Sequence, residues 1–170
     1  MDTLQTIFSR RSIRKYQDKE VSAELVNQIL QAAMSAPSAH NQQPWHFVVI
    51  RDKKLLAEIP KFSPWASMAS EANIAILVCA DLTLKKSDQD YWIQDCSAAV
   101  QNLLLACHDL GLGAVWTASY PMPDRMAGYK KLFKLPETII PFALIPLGYP
   151  AEIPKDQNRF NQKRIHLNQW

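Results

Sequence analysis

The segment Asp90–Leu110 constrains the fold more than any other part of the chain. Its apolar residues fall on nearly every side of a helix, and Gly111 follows it as a natural left-handed stop. Such a helix must be covered on both sides. A small domain has trouble doing that alone, which points to a subunit interface as one of the covers. Gln94, Asp95, Gln101, Asn102, His108 and Asp109 interrupt the stretch Trp92–Leu112, so it reads as a buried helix and not as a membrane span. Asp88, Asp90 and Asp95 are expected to cap and solvate it.

The other elements follow from caps and periodicity. Asp2 and Thr3 can cap a first helix running to about Ser9. Ser22 caps a second, with Leu25, Val26, Ile29, Leu30 and Ala33 on one buried face. It must end near Ala36, because Pro37 disfavours helix in the residue before it. Trp45–Arg51 reads as a strand, Lys53–Ile59 as a short helix, and Ile74–Ala80 as a strand apolar on both faces and therefore central. Ala114–Ala118 is a strand, Asp124–Phe133 a helix, and Ile139–Leu147 a strand whose Pro141 and Pro146 suit an edge or a bulge. Alternating Ile165 and Leu167 before the terminal Trp170 predict a tail that docks. The order predicts a mixed α/β or α+β layered domain, one domain over residues 1–170 with no repeat or linker.

Composition excludes several classes. A chain of 170 residues with 48% hydrophobic and 21% charged residues can bury an ordinary core. The net charge is +3, yet Lys and Arg are dispersed outside Arg10–Lys15, so no nucleic-acid partner is expected. Cys79, Cys96 and Cys107 match no zinc spacing and four histidines form no metal set, so no metal is expected. Cys96 and Cys107 fall on one helix face, which suits core packing. An odd cysteine count without a signal peptide predicts a reducing, cytoplasmic setting.

Only four glycines occur, Gly111, Gly113, Gly128 and Gly148, and neither GxGxxG nor GxxxxGK[ST] is present. A bound phosphate must therefore be held by side chains. Arg10-Arg11-Ser12-Ile13-Arg14-Lys15-Tyr16 can do this in extended form, with Arg10, Ser12 and Arg14 on one side and Arg11, Ile13 and Lys15 on the other. The same residues also suit a solvated basic turn with Ile13 buried. In Ala36-Pro37-Ser38-Ala39-His40-Asn41-Gln42-Gln43-Pro44-Trp45, two prolines stiffen the ends. Ser38, Asn41 and Gln43 then offer the donors and acceptors that suit the edge of a flavin or nucleobase. The alternative is a polar helix-to-strand loop capped by Ser38. No Ser-His-Asp arrangement is legible, and no catalytic residue is assigned.

These two motifs, followed by Gly111-Leu112-Gly113-Ala114-Val115-Trp116-Thr117, Leu147-Gly148-Tyr149-Pro150 and Arg164-Ile165-His166 before Trp170, resemble the nitroreductase family of FMN-dependent oxidoreductases in order and over essentially the whole chain. The resemblance implies an α+β fold with a central, mostly antiparallel sheet flanked by helices. It implies an intertwined homodimer with FMN at the interface and a C-terminal tail crossing to the partner. Arg10, Ser12 and Arg164 would hold the phosphate, supported by Arg11, and Arg14 would approach the ribityl chain and the N1–C2=O edge. Pro37, Ser38, Ala39, Asn41 and Gln43 would line the ring or ribityl, and Ala118 and Ser119 would turn backbone groups towards the ring. The implied activity is ping-pong transfer from NADH or NADPH, through FMN, to nitroaromatics, quinones or similar electron-poor acceptors. Alternatives are a flavin sensor or storage protein, or a specialised chemistry such as enone reduction or dehalogenation. Two departures stand out: Pro64-Trp65-Ala66-Ser67-Met68 lacks the Asn and Lys of longer relatives, and Ala118-Ser119 replaces a Glu found in some. Trp65 is either a cap on the substrate side or a surface anchor.

Overall fold

Asp2 accepts the Gln5 N–H at 2.9 Å and starts α1 (Thr3–Ser9), and Ser22 accepts the Leu25 N–H to start α2 (Ala23–Met34). The computed structural model describes residues 2–155 and 157–170. Along the chain follow β1 (Trp45–Ile50), α3 (Lys53–Glu58), β2 (Ile74–Asp81), α4 (Trp92–Asp109), β3 (Gly113–Ala114), β4 (Thr117–Ala118), α5 (Pro123–Phe133) and β5 (Ile139–Gly148). Gly111, at φ +76°, closes α4 as its position predicts.

The sheet runs β1-β2-β5-β3, with β4 also on β5, and every one of these strand pairs is antiparallel. Of the two alternatives for Ile139–Leu147, an edge or a bulge, the structure takes the bulge: β5 is central. Its two prolines are accommodated in two different ways. Beside Pro141 the register shifts between Val78 and Cys79, so Phe142 is an extra, bulged residue. Opposite Pro146, the expected strand Ala114–Ala118 breaks into β3 and β4. Both pieces keep one register on β5, because Val115 donates to the Pro146 carbonyl but Pro146 has no N–H to return.

Helices cover both faces of the sheet. Ile74, Ile76, Val78 and Ala80 of β2 pack with Val26, Ile29 and Ala33 of α2 and with Cys96, Val100, Leu103 and Cys107 of α4. Ala75, Leu77 and Cys79 point the other way, onto Leu56, Ile59, Ala66, Ala69 and Tyr129. On α4 only Gln94, Gln101 and Asp109 are exposed, although Leu105 and Ala106 stay half-buried on its outer side. The tail meets its own chain near Lys15 through Ala151 and Glu152, but Ile153, Phe160, Leu167 and Trp170 are all exposed, Trp170 fully, and among the described residues its ring stacks on His166. In α1, Leu4, Ile7 and Phe8 are exposed as well.

Candidate functional site

The basic motif leaves α1 as an extended segment pinned to the sheet. Ile13 donates to the Ala114 carbonyl at 3.1 Å, and Ser12 bridges Ala114 in parallel. The Tyr16 hydroxyl lies 2.7 Å from the Ile13 carbonyl and 3.0 Å from that of Pro146, and burial pushes this phenol up. Glu152 accepts the backbone N–H groups of Arg14 and Lys15. Ile13 is buried against Gly113, where a Cβ would come within 2.6 Å of it. The segment is thus held largely by backbone and apolar contacts, with no ion pair of its arginines needed to fix it.

The cationic side chains do not alternate as an ideal strand predicts. The Arg11 guanidinium folds back to donate to the Phe8 and Arg10 carbonyls, on the same side as its neighbours. Two adjoining clefts result, one lined by Arg10, Arg11 and Arg159, the other by Arg11, Ser12, Arg14, Lys155 and Arg159. Burial, and then the Arg159 and Arg11 cations, hold Arg10 below the ordinary guanidinium range. A cluster of cations packed closely enough to depress Arg10 fits an anion such as a phosphate, whose charge relieves the repulsion. Neither cleft is lined by Arg164, which lies exposed in the turn Gln162–Arg164. Lys155 and Arg159 are the tail residues that sequence reasoning missed. Their only sequence signal was that they share the C-terminal stretch with Lys163 and Arg164.

His108, near the C-terminal end of α4, lies 2.7 Å from Ser9 through its Nε2, beside this cluster. Burial and the Arg10 and Arg11 cations lower its pKa, against a smaller opposing pull from Asp109.

The second motif is a loop in which His40, Asn41 and Gln43 all adopt left-handed backbone, with φ of 53°, 50° and 48°. Such conformations in non-glycine residues cost on the order of 1 kcal/mol each, so surrounding contacts must enforce them. Asp95 does much of this. It is buried, where a solvated carboxylate was expected, and it accepts the Ala39 N–H at 2.9 Å and the Gln42 side-chain amide at 2.6 Å. The Lys86 backbone N–H donates to the Gln42 oxygen, and the Lys86 ammonium reaches the His40 and Asn41 carbonyls. Ser38 accepts the Gln43 N–H at 3.0 Å; it does not cap the short turn Ala39–Asn41. Pro37, Asn41 and Gln43 remain exposed, while Ser38 and Ala39 are half-buried. A carboxylate in the first turns of an apolar helix was the one sequence sign of the role of Asp95.

Of the β4 residues, Ala118 is exposed, with its carbonyl accepting from Arg125. Ser119 is fully buried, and its N–H goes to the Phe142 carbonyl. Within the folded chain the carbonyl of the bulged Phe142 takes the Ser119 donor. Trp65 is 75% exposed on a segment fixed by the buried Ala66 and Ala69.

The profile of the nitroreductase family matches residues 7–82 and 64–149. The chain belongs to the nitroreductase family. A relative from Methanothermobacter thermautotrophicus, provisionally named NADH dehydrogenase/NAD(P)H nitroreductase, is 54% identical over 170 residues, covering 100% of this chain and 88% of its own. A Bacteroides thetaiotaomicron structure under the same provisional name has a TM-score of 0.93 at 45% identity, covering 98% of this chain and 97% of that one. A Desulfovibrio desulfuricans structure, provisionally named a nitroreductase and solved in complex with FMN, has a TM-score of 0.83 at 34% identity, covering 98% and 96%. Like these nitroreductase-family folds, this one is an antiparallel sheet between helices. Among the described residues, no helix is long and apolar enough to cross a membrane, and no cluster of potential ligands could hold a metal.

Proposed function

We propose that the chain is an NAD(P)H-dependent FMN oxidoreductase whose active site is assembled from two copies. One observation carries the assembly: the two candidate motifs sit at opposite ends of α4. Asp95 holds the loop at one end, and His108 adjoins the arginine cluster at the other. Residues 95 and 108 are 13 steps apart, a rise of about 20 Å. A five-carbon ribityl linker does not span that distance. A two-fold axis across α4 sets two such helices antiparallel and brings the arginines of one copy to the loop of the other. The exposed Leu4, Ile7 and Phe8 and the undocked Ile153, Phe160, Leu167 and Trp170 offer the apolar surface such a dimer needs.

In this reading Arg10, Ser12, Arg14 and Arg159 hold the FMN phosphate and its approach, with Arg11 and Lys155 at the rim. Asn41 and Gln43 of the other copy offer amides to the ring, with Pro37, Ser38 and Ala39 beside it and Ala118 on the β4 side. Arg164 and the rest of the tail lie across the partner. Bound there, FMN supplies two-electron transfer between NAD(P)H and an acceptor. The chain's own part would be binding, orientation and electrostatics, with the arginine cluster favouring the negative charge of the bound group. No side chain need move a proton. Nitroaromatics and quinones are the acceptors that would fit a flat, open ring face.

The test is optical. The purified protein should be yellow, bleach within seconds under anaerobic NADPH or NADH, and regain colour with a nitroaromatic or quinone. A protein that takes up no FMN contradicts the reading. One that stays oxidised in excess NAD(P)H is a flavin sensor or store.

A further inference from the structure

Loop 38–43 carries three left-handed residues, none of them glycine, and no hydrophobic side chain within it is buried enough to anchor it. What holds it is polar and enclosed. Asp95 is 4% exposed and Gln42 5%. The direction of each bond can be read without ambiguity. Ala39 and Lys86 contribute backbone N–H groups, which only donate, to Asp95 Oδ1 and Gln42 Oε1. The remaining contact, 2.6 Å between Gln42 Nε2 and Asp95 Oδ2, must then run from amide to carboxylate.

We infer that Asp95, acting through Gln42, is a positioning residue that fixes loop 38–43 in the shape in which Asn41 and Gln43 meet the flavin. The inference rests on the flavin site proposed above. Asp95 itself touches no ligand. It acts on the ring through the backbone it locks, since Ala39 and Gln42 flank His40 and Asn41, and Gln43 follows at once.

The bond directions give a discriminating pair of variants. In Asp95→Asn the new amide must oppose a donor whichever way it is turned: Gln42 Nε2 on one side, the Ala39 N–H on the other. Rotating Gln42 only moves the conflict to the Lys86 N–H. Adding Gln42→Glu resolves it. The amide introduced at position 95 keeps its oxygen on the Ala39 N–H and donates to the carboxylate introduced at position 42. That carboxylate keeps its other oxygen on the Lys86 N–H. The double variant has the same shape, the same number of carboxylates and one reversed bond.

The experiment uses the full-length protein. In the flavin-free form, hydrogen exchange at the Ala39–Gln43 amides should rise about tenfold or more in Asp95→Asn and return towards wild type in Asp95→Asn/Gln42→Glu. In the FMN-loaded form, the FMN Kd should weaken about tenfold in the single variant and the visible circular dichroism of the bound flavin should change, both restored in the double. Unchanged exchange in the single variant overturns the clasp. Failure of the double variant to restore exchange overturns the bond directions. Altered and restored exchange with unchanged FMN affinity and dichroism overturns the link from loop to ring, while leaving flavin binding by the arginines intact.

Discussion

Gly113→Ala should damage flavin binding from a position that no flavin touches. A Cβ at Gly113 would lie 2.6 Å from the Cβ and Cγ2 of Ile13 and 2.7 Å from its Cγ1. Ordinary carbon contacts begin near 3.5 Å, so the extended segment must retreat by about 1 Å. Overpacking of this kind costs about 1–3 kcal/mol. Ile13 stands between Ser12 and Arg14, and its N–H bond to Ala114 is what the retreat loosens. FMN binding would have to restore that geometry, so its Kd should weaken by roughly 5- to 150-fold, at about 1.4 kcal/mol per decade. Because the Cβ of Ile13 is itself in the clash, adding Ile13→Ala should not rescue the variant. Titration of flavin-free protein with FMN, followed by fluorescence quenching, measures the effect. Gly111→Ala is the control: it strains a φ of +76° in open space, so it should lose about 1 kcal/mol of stability with FMN affinity unchanged. A folded Gly113→Ala protein with wild-type affinity would refute the placement of Ser12 and Arg14 at the phosphate, and full rescue by Ile13→Ala would refute the part given to the Ile13 Cβ in the clash.

Two further outcomes follow from the arginine cluster. Arg159→Ala should weaken FMN binding about tenfold or more and Arg164→Ala less, because Arg159 alone of the two lines the clefts beside Arg10; the reverse order would return the phosphate to Arg164. His108 is held below its ordinary pKa of 6.5 by burial and by Arg10 and Arg11, so the unfolded chain binds a proton there that the folded chain resists. Its contribution to stability is present above pH 6.5 and is lost as pH falls from there through the folded value. Denaturant unfolding at successive pH values should show this loss, reduced in His108→Gln and smaller in FMN-loaded protein, where phosphate offsets the two cations; an equal slope in all three would count against it.

Much of the fold was legible because caps, prolines and periodicity are local. Ser22 and Pro37 bound α2, Gly111 closes α4, and the two-sided apolarity of β2 puts it inside the sheet. What escaped is non-local. Pro141 and Pro146 were compatible with an edge or a bulge; only the pairing shows a central strand with a bulge at one proline and a broken neighbour at the other. At the site, the motifs themselves were readable, but not their separation, which depends on where α4 runs between them. Asp95 looked like any helix-solvating carboxylate until the loop was folded onto it. Arg159 and Arg164 are indistinguishable in a basic tail whose path the sequence does not specify. Ser119 lost its donor to a bulge that forms on another strand.

Complementation between two defective chains measures the shared site most directly. A chain carrying Arg10→Ala and Arg159→Ala keeps its loop, and one carrying Asn41→Ala and Gln43→Ala keeps its arginines. Each homodimer should bind FMN weakly. A heterodimer purified with two different tags should hold one tightly bound FMN per pair, since one of its two sites unites both intact halves. If the heterodimer binds no better than the two homodimers, each flavin is held within a single chain, and assembly across two copies is wrong.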